Sequence, residues 1–176
     1  MIGNKMKTIL VTGASGFLGK ALVNSLAQDY LVLGLEKNTS SQNQESKIKL
    51  FSSSDINIDK IFKDHKIDII IHTATLYTIN GHDYSNLIET NITLPVKLLS
   101  YAEKYKVRTF INCDSFFSSL KLEYEYLGLY TITKRESLDW LKRISRDTQL
   151  INMKIFHMYG PGDNLRKFIN WLMSEL

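Results

Sequence analysis

A single cysteine, Cys113, stands in the 176-residue chain. No internal disulfide can form, and a reducing cytoplasm is the expected home. Long apolar runs are missing too. The stretch 67–71 is broken by Asp68 and falls far short of the roughly 18–20 residues needed to cross a bilayer. Residues 1–7 carry two lysines but no apolar stretch, so no leader peptide is expected. A strong excess of one charge is also lacking. The formal net charge is +4, and the densest basic cluster is Lys142, Arg143 and Arg146. It falls on a predicted helix without interleaved aromatics, and so reads as a solvated face rather than a nucleic-acid footprint. Neither internal repeats nor low-complexity tracts occur, no metal site is expected, and the polar stretch 38–46 reads as a surface loop.

What is present is a regular alternation of apolar periods. Short apolar runs at 8–11, 31–35, 48–51, 67–72, 107–113 and 150–156 predict strands. Helical periods fall at 17–28, 58–63, 84–106, 130–145 and 165–176, the third interrupted by Pro95, which kinks it or opens its second half. Strands that are apolar on both faces and alternate with helices argue one α/β domain, a doubly wound parallel sheet of the Rossmann kind. A chain of this length holds one such domain and not two.

The first strand runs into Thr12-Gly13-Ala14-Ser15-Gly16-Phe17-Leu18-Gly19. A dinucleotide diphosphate needs a tight turn, a backbone it can approach without a Cβ, and close helix–strand packing. Gly13, Gly16 and Gly19 can supply these in order. The helix start that follows, through Phe17 and Leu18, presents N–H groups and partial positive charge to the anion. Placement at the first strand–helix junction of an alternating pattern makes this triplet specific. At the end of the second strand Glu36 can accept hydrogen bonds from both adenosine ribose hydroxyls, which favours NAD. Lys37 follows and can pair with a 2′-phosphate, so NADP stays open.

Tyr130 and Lys134 lie four apart and share a helix face. A phenol is a poor acid–base group near neutrality. An ammonium one turn away, together with a positive nicotinamide, stabilises the phenolate and makes the tyrosine a usable proton donor to a carbonyl. Ser115, after the fifth strand, falls at the carboxyl edge of the sheet, where a hydroxyl can orient that carbonyl toward Tyr130.

With these features in order the chain resembles the extended short-chain dehydrogenase/reductase family, also called the NAD-dependent epimerase/dehydratase family. Further likeness lies in Asp55-Ile56, His72-Thr73-Ala74, Asn91 and Tyr159-Gly160-Pro161-Gly162-Asp163. The resemblance implies that Asp55 and Ile56 contact the adenine, that Thr73, Ala74 and Phe156 line the cofactor, and that Asn91 stands on the nicotinamide side. It assigns Ser115, Tyr130 and Lys134 to catalysis, with Lys134 also reaching the nicotinamide ribose, and Tyr77 and His157 to the substrate. A homodimer through helices 84–106 and 130–145 is implied as well. Phe110-Ile111-Asn112-Cys113, Asp114-Ser115-Phe116-Phe117, Leu87-Ile88-Glu89-Thr90-Asn91 and His157-Met158-Tyr159-Gly160 are similar to nucleotide-sugar reductases of the CDP-paratose and CDP-abequose synthase kind. That narrower likeness implies reduction of the C4 ketone of a CDP-4-keto-6-deoxyhexose in O-antigen synthesis, with epimerisation as the other chemistry.

Two departures bear on this reading. Glu36 stands where those reductases do not usually carry an acid. Family members also continue well beyond the Gly160-Pro161-Gly162-Asp163 turn, so 164–176 is expected to be only the start of a substrate lobe that is largely missing. The alternative is a cofactor-binding module that acts through protein–protein contacts without catalysis. The set Ser115, Tyr130 and Lys134 argues against it, since binding alone calls for none of the three.

Overall fold

The structure, a computed structural model, describes residues 6–37, 48–53, 55–77, 83–119, 127–163 and 168–175, without the side chains of residues 55, 56, 168, 170 and 174. The polar stretch 38–46 and Leu165 therefore lie outside the described residues, as do the side chains expected at the adenine, Asp55 and Ile56. Six parallel strands form the sheet: β1 Thr8–Thr12, β2 Leu31–Glu36, β3 Ile48–Ser52, β4 Ile69–His72, β5 Thr109–Ser115 and β6 Gln149–Ile155. Their order is β3-β2-β1-β4-β5-β6. The order reverses between β1 and β4, and in such sheets the ligand crevice opens at that point, outside the carboxyl ends of the strands.

The helices are α1 Phe17–Leu26, α2 Asp55–Asp64, α3 Tyr84–Ile88, α4 Leu94–Lys104, α5 Gly128–Ile144 and α6 Phe168–Glu175. The two sheet faces are covered unequally. Leu10, Leu33, Ile70 and Phe110 pack on one face against Ile58 and Ile61 of α2, Leu98 and Leu99 of α4, and Leu141 of α5, all fully buried. On the other face Ile9, Val11 and Val32 pack against Val23 of α1. Toward β6 that cover thins, leaving Ile151 and Met153 exposed.

The expected helix 84–106 is continuous but contains a widened turn. Residues Glu89–Thr93 form a π-helical segment between α3 and α4, and the Leu94 N–H reaches back to the Glu89 carbonyl. Pro95, which has no N–H and whose ring crowds the carbonyl four residues earlier, then sits in the first turn of α4. It opens the second half, as the sequence allowed. Ser115 proves to be the last residue of β5 rather than part of the following loop, and α5 begins two residues before Tyr130, at Gly128.

The α5–β6 connection is fixed by Glu103 of α4, whose carboxylate accepts the N–H groups of Arg146, Asp147 and Thr148 at 2.9–3.1 Å. Burial alone would raise its pKa, but these three donors win and hold it below the ordinary value.

The glycine turn depends on a close backbone approach. Gly13 has φ +64 and donates its N–H to the Leu35 carbonyl at 2.9 Å, which ties the turn to the neighbouring strand. Gly19, in the first turns of α1, lies against that turn. A Cβ on it would stand 2.0 Å from the Gly13 carbonyl oxygen. Gly→Ala inside a helix ordinarily stabilises by about 0.5–1 kcal/mol. At Gly19 the sign should invert: Gly19→Ala is expected to destabilise the fold by about 1–3 kcal/mol through overpacking, read as a lowered urea midpoint. An unchanged or raised midpoint would refute the close approach.

Candidate active site

Around the turn, several of the expected cofactor residues come together. The Gly13 Cα lies so close to strand β4's exit that a Cβ would meet the Ala74 Cα at 2.9 Å and the Thr73 hydroxyl at 3.2 Å. Glu36, at the end of β2, reaches over the turn. Its carboxylate accepts from the Ser15 hydroxyl at 2.8 Å and from the Ser15 N–H. Gly16 is exposed at the N-cap of α1, no side chain caps that helix, and its first turn carries no acidic residue. A helix start left open beside small residues, with a carboxylate one turn away, fits a diphosphate and its ribose. Phe17 and Leu18, half-buried, form the first turn behind it.

A buried network that the sequence did not reveal holds the floor of the crevice. The Thr12 hydroxyl oxygen accepts the N–H groups of both Thr73 and Ala74 at 3.1 Å, while the Thr73 hydroxyl donates to the Thr12 carbonyl at 2.6 Å. With two donors already on its oxygen, the Thr12 hydroxyl proton points to His72 Nδ1, 2.9 Å away. His72 must then leave Nδ1 bare and carry its proton on Nε2. Thr12 and His72 are 0% and 1% exposed. Burial, with a smaller effect of the Lys134 charge, lowers the His72 pKa to about 3, so the ring stays a neutral acceptor. The strand order β1–β4 was the missing signal, because it alone makes Thr12 and His72 register partners.

Asn91, expected on the nicotinamide side, spends its amide inside the protein. Its oxygen accepts from the Leu76 N–H at 2.8 Å and the Thr75 hydroxyl at 3.3 Å. Its nitrogen donates to the Leu76 carbonyl and the Thr133 hydroxyl, both at 3.0 Å. The π-helical turn thus clamps the segment after β4 to α5, a frequent use of such turns near functional sites. That segment carries Tyr77, whose ring stacks on Tyr130 at 4.5 Å between centroids.

Tyr130 is buried, and Ser115 hydrogen-bonds its hydroxyl. Burial and the neighbouring Tyr77 push the phenol above its ordinary range, and the Ser115 bond offsets this only in part. Lys134, only 4% exposed, needs an acceptor for its ammonium and donates to the Cys113 carbonyl at 2.8 Å. Its own pKa is lowered by burial, against the raising effect of Asp114. Asp114, equally buried, accepts from the Ser115 N–H, the Ser118 hydroxyl and the Asn152 amide at 2.7–3.0 Å, and so fixes the turn that carries Ser115.

Phe156 and His157 stand apart from the glycine turn. Phe156 is 70% exposed and stacks on Phe116, 5.5 Å away, while His157 meets the same ring at 5.1 Å. They flank the end of β5 rather than the diphosphate cradle.

A model of the NAD dependent epimerase/dehydratase family matches residues 9–176. The chain belongs to this family. It is 34% identical to the CDP-abequose synthase of Salmonella typhimurium, over 96% of this chain and 58% of that protein. With the CDP-abequose synthase of Salmonella muenchen it shares 31% identity, over 97% and 59%. The fold is that of UDP-glucuronic acid 4-epimerase from Bacillus cereus in complex with NAD, with a TM-score of 0.75 at 20% identity over 96% of this chain and 62% of that one. The chain therefore spans about three fifths of the length of these relatives. No helix among the described residues is long and apolar enough to cross a membrane.

The Thr12–His72 pair can be tested through its geometry. Asn carries an oxygen near the place of Nδ1, whereas Leu carries none. His72→Leu is expected to cost about 1–3 kcal/mol more than His72→Asn, because it strands the Thr12 proton in a buried site. The pKa sets a pH signature as well. A histidine depressed to about 3 in the fold and near 6.5 unfolded leaves the unfolded state with more bound protons. Stability should be fully present above about pH 6.5 and fall as the pH drops from there toward 3. His72→Asn should be flatter in that window, and equal slopes in urea titrations would reject the assignment.

Proposed function

We propose that the chain is the dinucleotide-binding part of a nucleotide-sugar oxidoreductase that reduces the C4 ketone of a CDP-4-keto-6-deoxyhexose with NAD(H). The observation that carries this reading is the Ser115 hydroxyl on the Tyr130 phenol at the carboxyl end of β5. It pairs a donor for a carbonyl oxygen with a group that orients it. The similarity to the two CDP-abequose synthases supports the CDP-sugar, and the family supports NAD.

Gly13, Gly16, Phe17, Leu18 and Gly19 would hold the diphosphate, Glu36 the adenosine ribose, Asp55 and Ile56 the adenine, and Thr73 and Ala74 the central part of the cofactor. NADH held there would supply the hydride for the ketone carbon. Tyr130, neutral at working pH because burial disfavours its anion, transfers its proton to the ketone oxygen, and Ser115 holds that oxygen in line. Lys134 keeps the end of β5 in place through Cys113 and is the cation nearest in sequence for restoring the phenol's proton. Tyr77, stacked over Tyr130, keeps bulk water from the phenol, and with His157 would meet the sugar. The remaining length of the relatives would supply most of the sugar lobe, to which 164–176 is the entry. An apolar groove of about 530 Å³ lined by Tyr84, Ile88, Leu129 and Ile132 supports a homodimer through α3 and α5.

A cofactor-binding module without turnover is the second reading, favoured by the Tyr77 ring over the phenol. Titration with CDP- and dTDP-sugars of an NAD-loaded version as long as the relatives separates the two, since cofactor affinity without sugar affinity supports the module. For the enzyme, Tyr130→Phe is expected to lower hydride transfer by about 10²–10⁴-fold, measured as NADH oxidation with the keto sugar. Retained turnover would remove Tyr130 as the acid.

A further inference from the structure

NADP differs from NAD by a phosphate on the adenosine 2′-oxygen, a group that is doubly charged near neutrality. A site that accepts it needs a cation free to move onto it, and a carboxylate in the same place repels it. At the end of β2 both signs occur side by side, as Glu36 and then Lys37. What decides between the dinucleotides is therefore where each charge is held.

The Glu36 carboxylate is held inward, over the glycine turn, by the N–H and hydroxyl of Ser15. The exposed Lys37 side chain has a different partner. Its ammonium donates to Asn86 Oδ1 at 3.0 Å, across 49 residues of sequence. Asn86 is not a loose surface amide. Its N–H bonds Asp83 Oδ1 at 3.0 Å, and its side-chain nitrogen donates to the other Asp83 oxygen. Asp83 caps α3. The two Asn86 bonds hold the Asp83 carboxyl below its ordinary value, and the Lys37 charge adds to the effect. A carboxylate thus stands behind the amide that receives the lysine. The bridge runs from the end of β2 to the start of α3.

We propose that Asn86, oriented by Asp83, sets the cofactor preference by drawing Lys37 away from the 2′ position and leaving Glu36 to face an unphosphorylated ribose. The inference deepens the dinucleotide reading and rests on it. Lysine has a long flexible stem, so loss of the Asn86 acceptor returns its ammonium to the mouth of the ribose site, where a 2′-phosphate would attract it.

The test is a calorimetric titration of the full chain with NAD and with NADP, for the wild type, Asn86→Ala, Lys37→Ala and the double variant. The wild type is expected to prefer NAD. In Asn86→Ala the NADP/NAD affinity ratio should rise roughly two- to five-fold, the range open to exposed charge contacts. The rise should vanish in the double variant, since it acts through Lys37. Circular dichroism of Asn86→Ser, which keeps a polar side chain at the start of α3, guards against loss of α3 as the cause, and its ratio should rise in the same direction. An Asn86→Ala ratio equal to wild type, a rise that persists without Lys37, or a wild-type NADP preference abolished by Lys37→Ala would each overturn the proposal. Binding of neither dinucleotide would instead overturn the cofactor reading, and this inference with it.

Discussion

The carboxyl edge of the sheet depends on a register that sets polar residues side by side on neighbouring strands. Thr12 of β1 faces His72 of β4, His72 faces Asn112 of β5, and Asn112 faces Asn152 of β6. Three of the four are buried, so each must find its partner within the row or carry a desolvation cost of about 1–3 kcal/mol. The row forms two pairs, Thr12 with His72 at 2.9 Å and the Asn112 amide nitrogen with Asn152 at 2.7 Å, while the Asn112 Oδ1 stays buried without a partner among the described residues. Asn152 continues to Asp114, which fixes Ser115. One pair therefore lies beside the glycine turn and the other beside Ser115. A register slip of one residue would turn every member of the row to the opposite face.

Much of this was legible in the residues. Strands apolar on both faces, such as β1 and β4, can only be covered by layers on both sides, and a glycine triplet at their first junction named the turn. Glu36 stood out by its place at the end of the second strand, and the fold sets its carboxylate on Ser15 of the turn. Pair chemistry across the sheet was not readable, because sequence periodicity carries no strand order. Thr12 and His72 lie 60 residues apart and meet only if β4, rather than β3, sits beside β1. The bonding of Asn91 was unreadable for a related reason, since its four hydrogen bonds join three segments of the protein.

The Tyr130–Lys134 spacing shows the limit of face arguments. Residues four apart share a helix face, yet their functional atoms extend several ångströms from the backbone and go where acceptors are. A lysine with 4% exposure cannot leave its ammonium unpaired, and the Cys113 carbonyl near the end of β5 is the acceptor it finds. The phenol, left to burial and to Tyr77, is held firmly neutral. That state makes it a weak acid, so a positive charge brought near the phenol would ease proton transfer in either direction.

The two halves of the crevice also differ in how completely they are built. Around the glycine turn the elements hold one another: Gly13 lies close against Ala74, Thr12 pairs with His72 in a buried site, and Glu36 bonds Ser15 at the surface. On the side where a sugar would lie, Phe156 is 70% and Tyr159 65% exposed, and the same sheet face leaves Met153 half exposed. Apolar aromatic groups gathered at one end of a crevice gain little from water and much from a cover. The end of the sheet at β5 and β6 is thus the less covered one, and it is the relatives' remaining two fifths that this chain does not span.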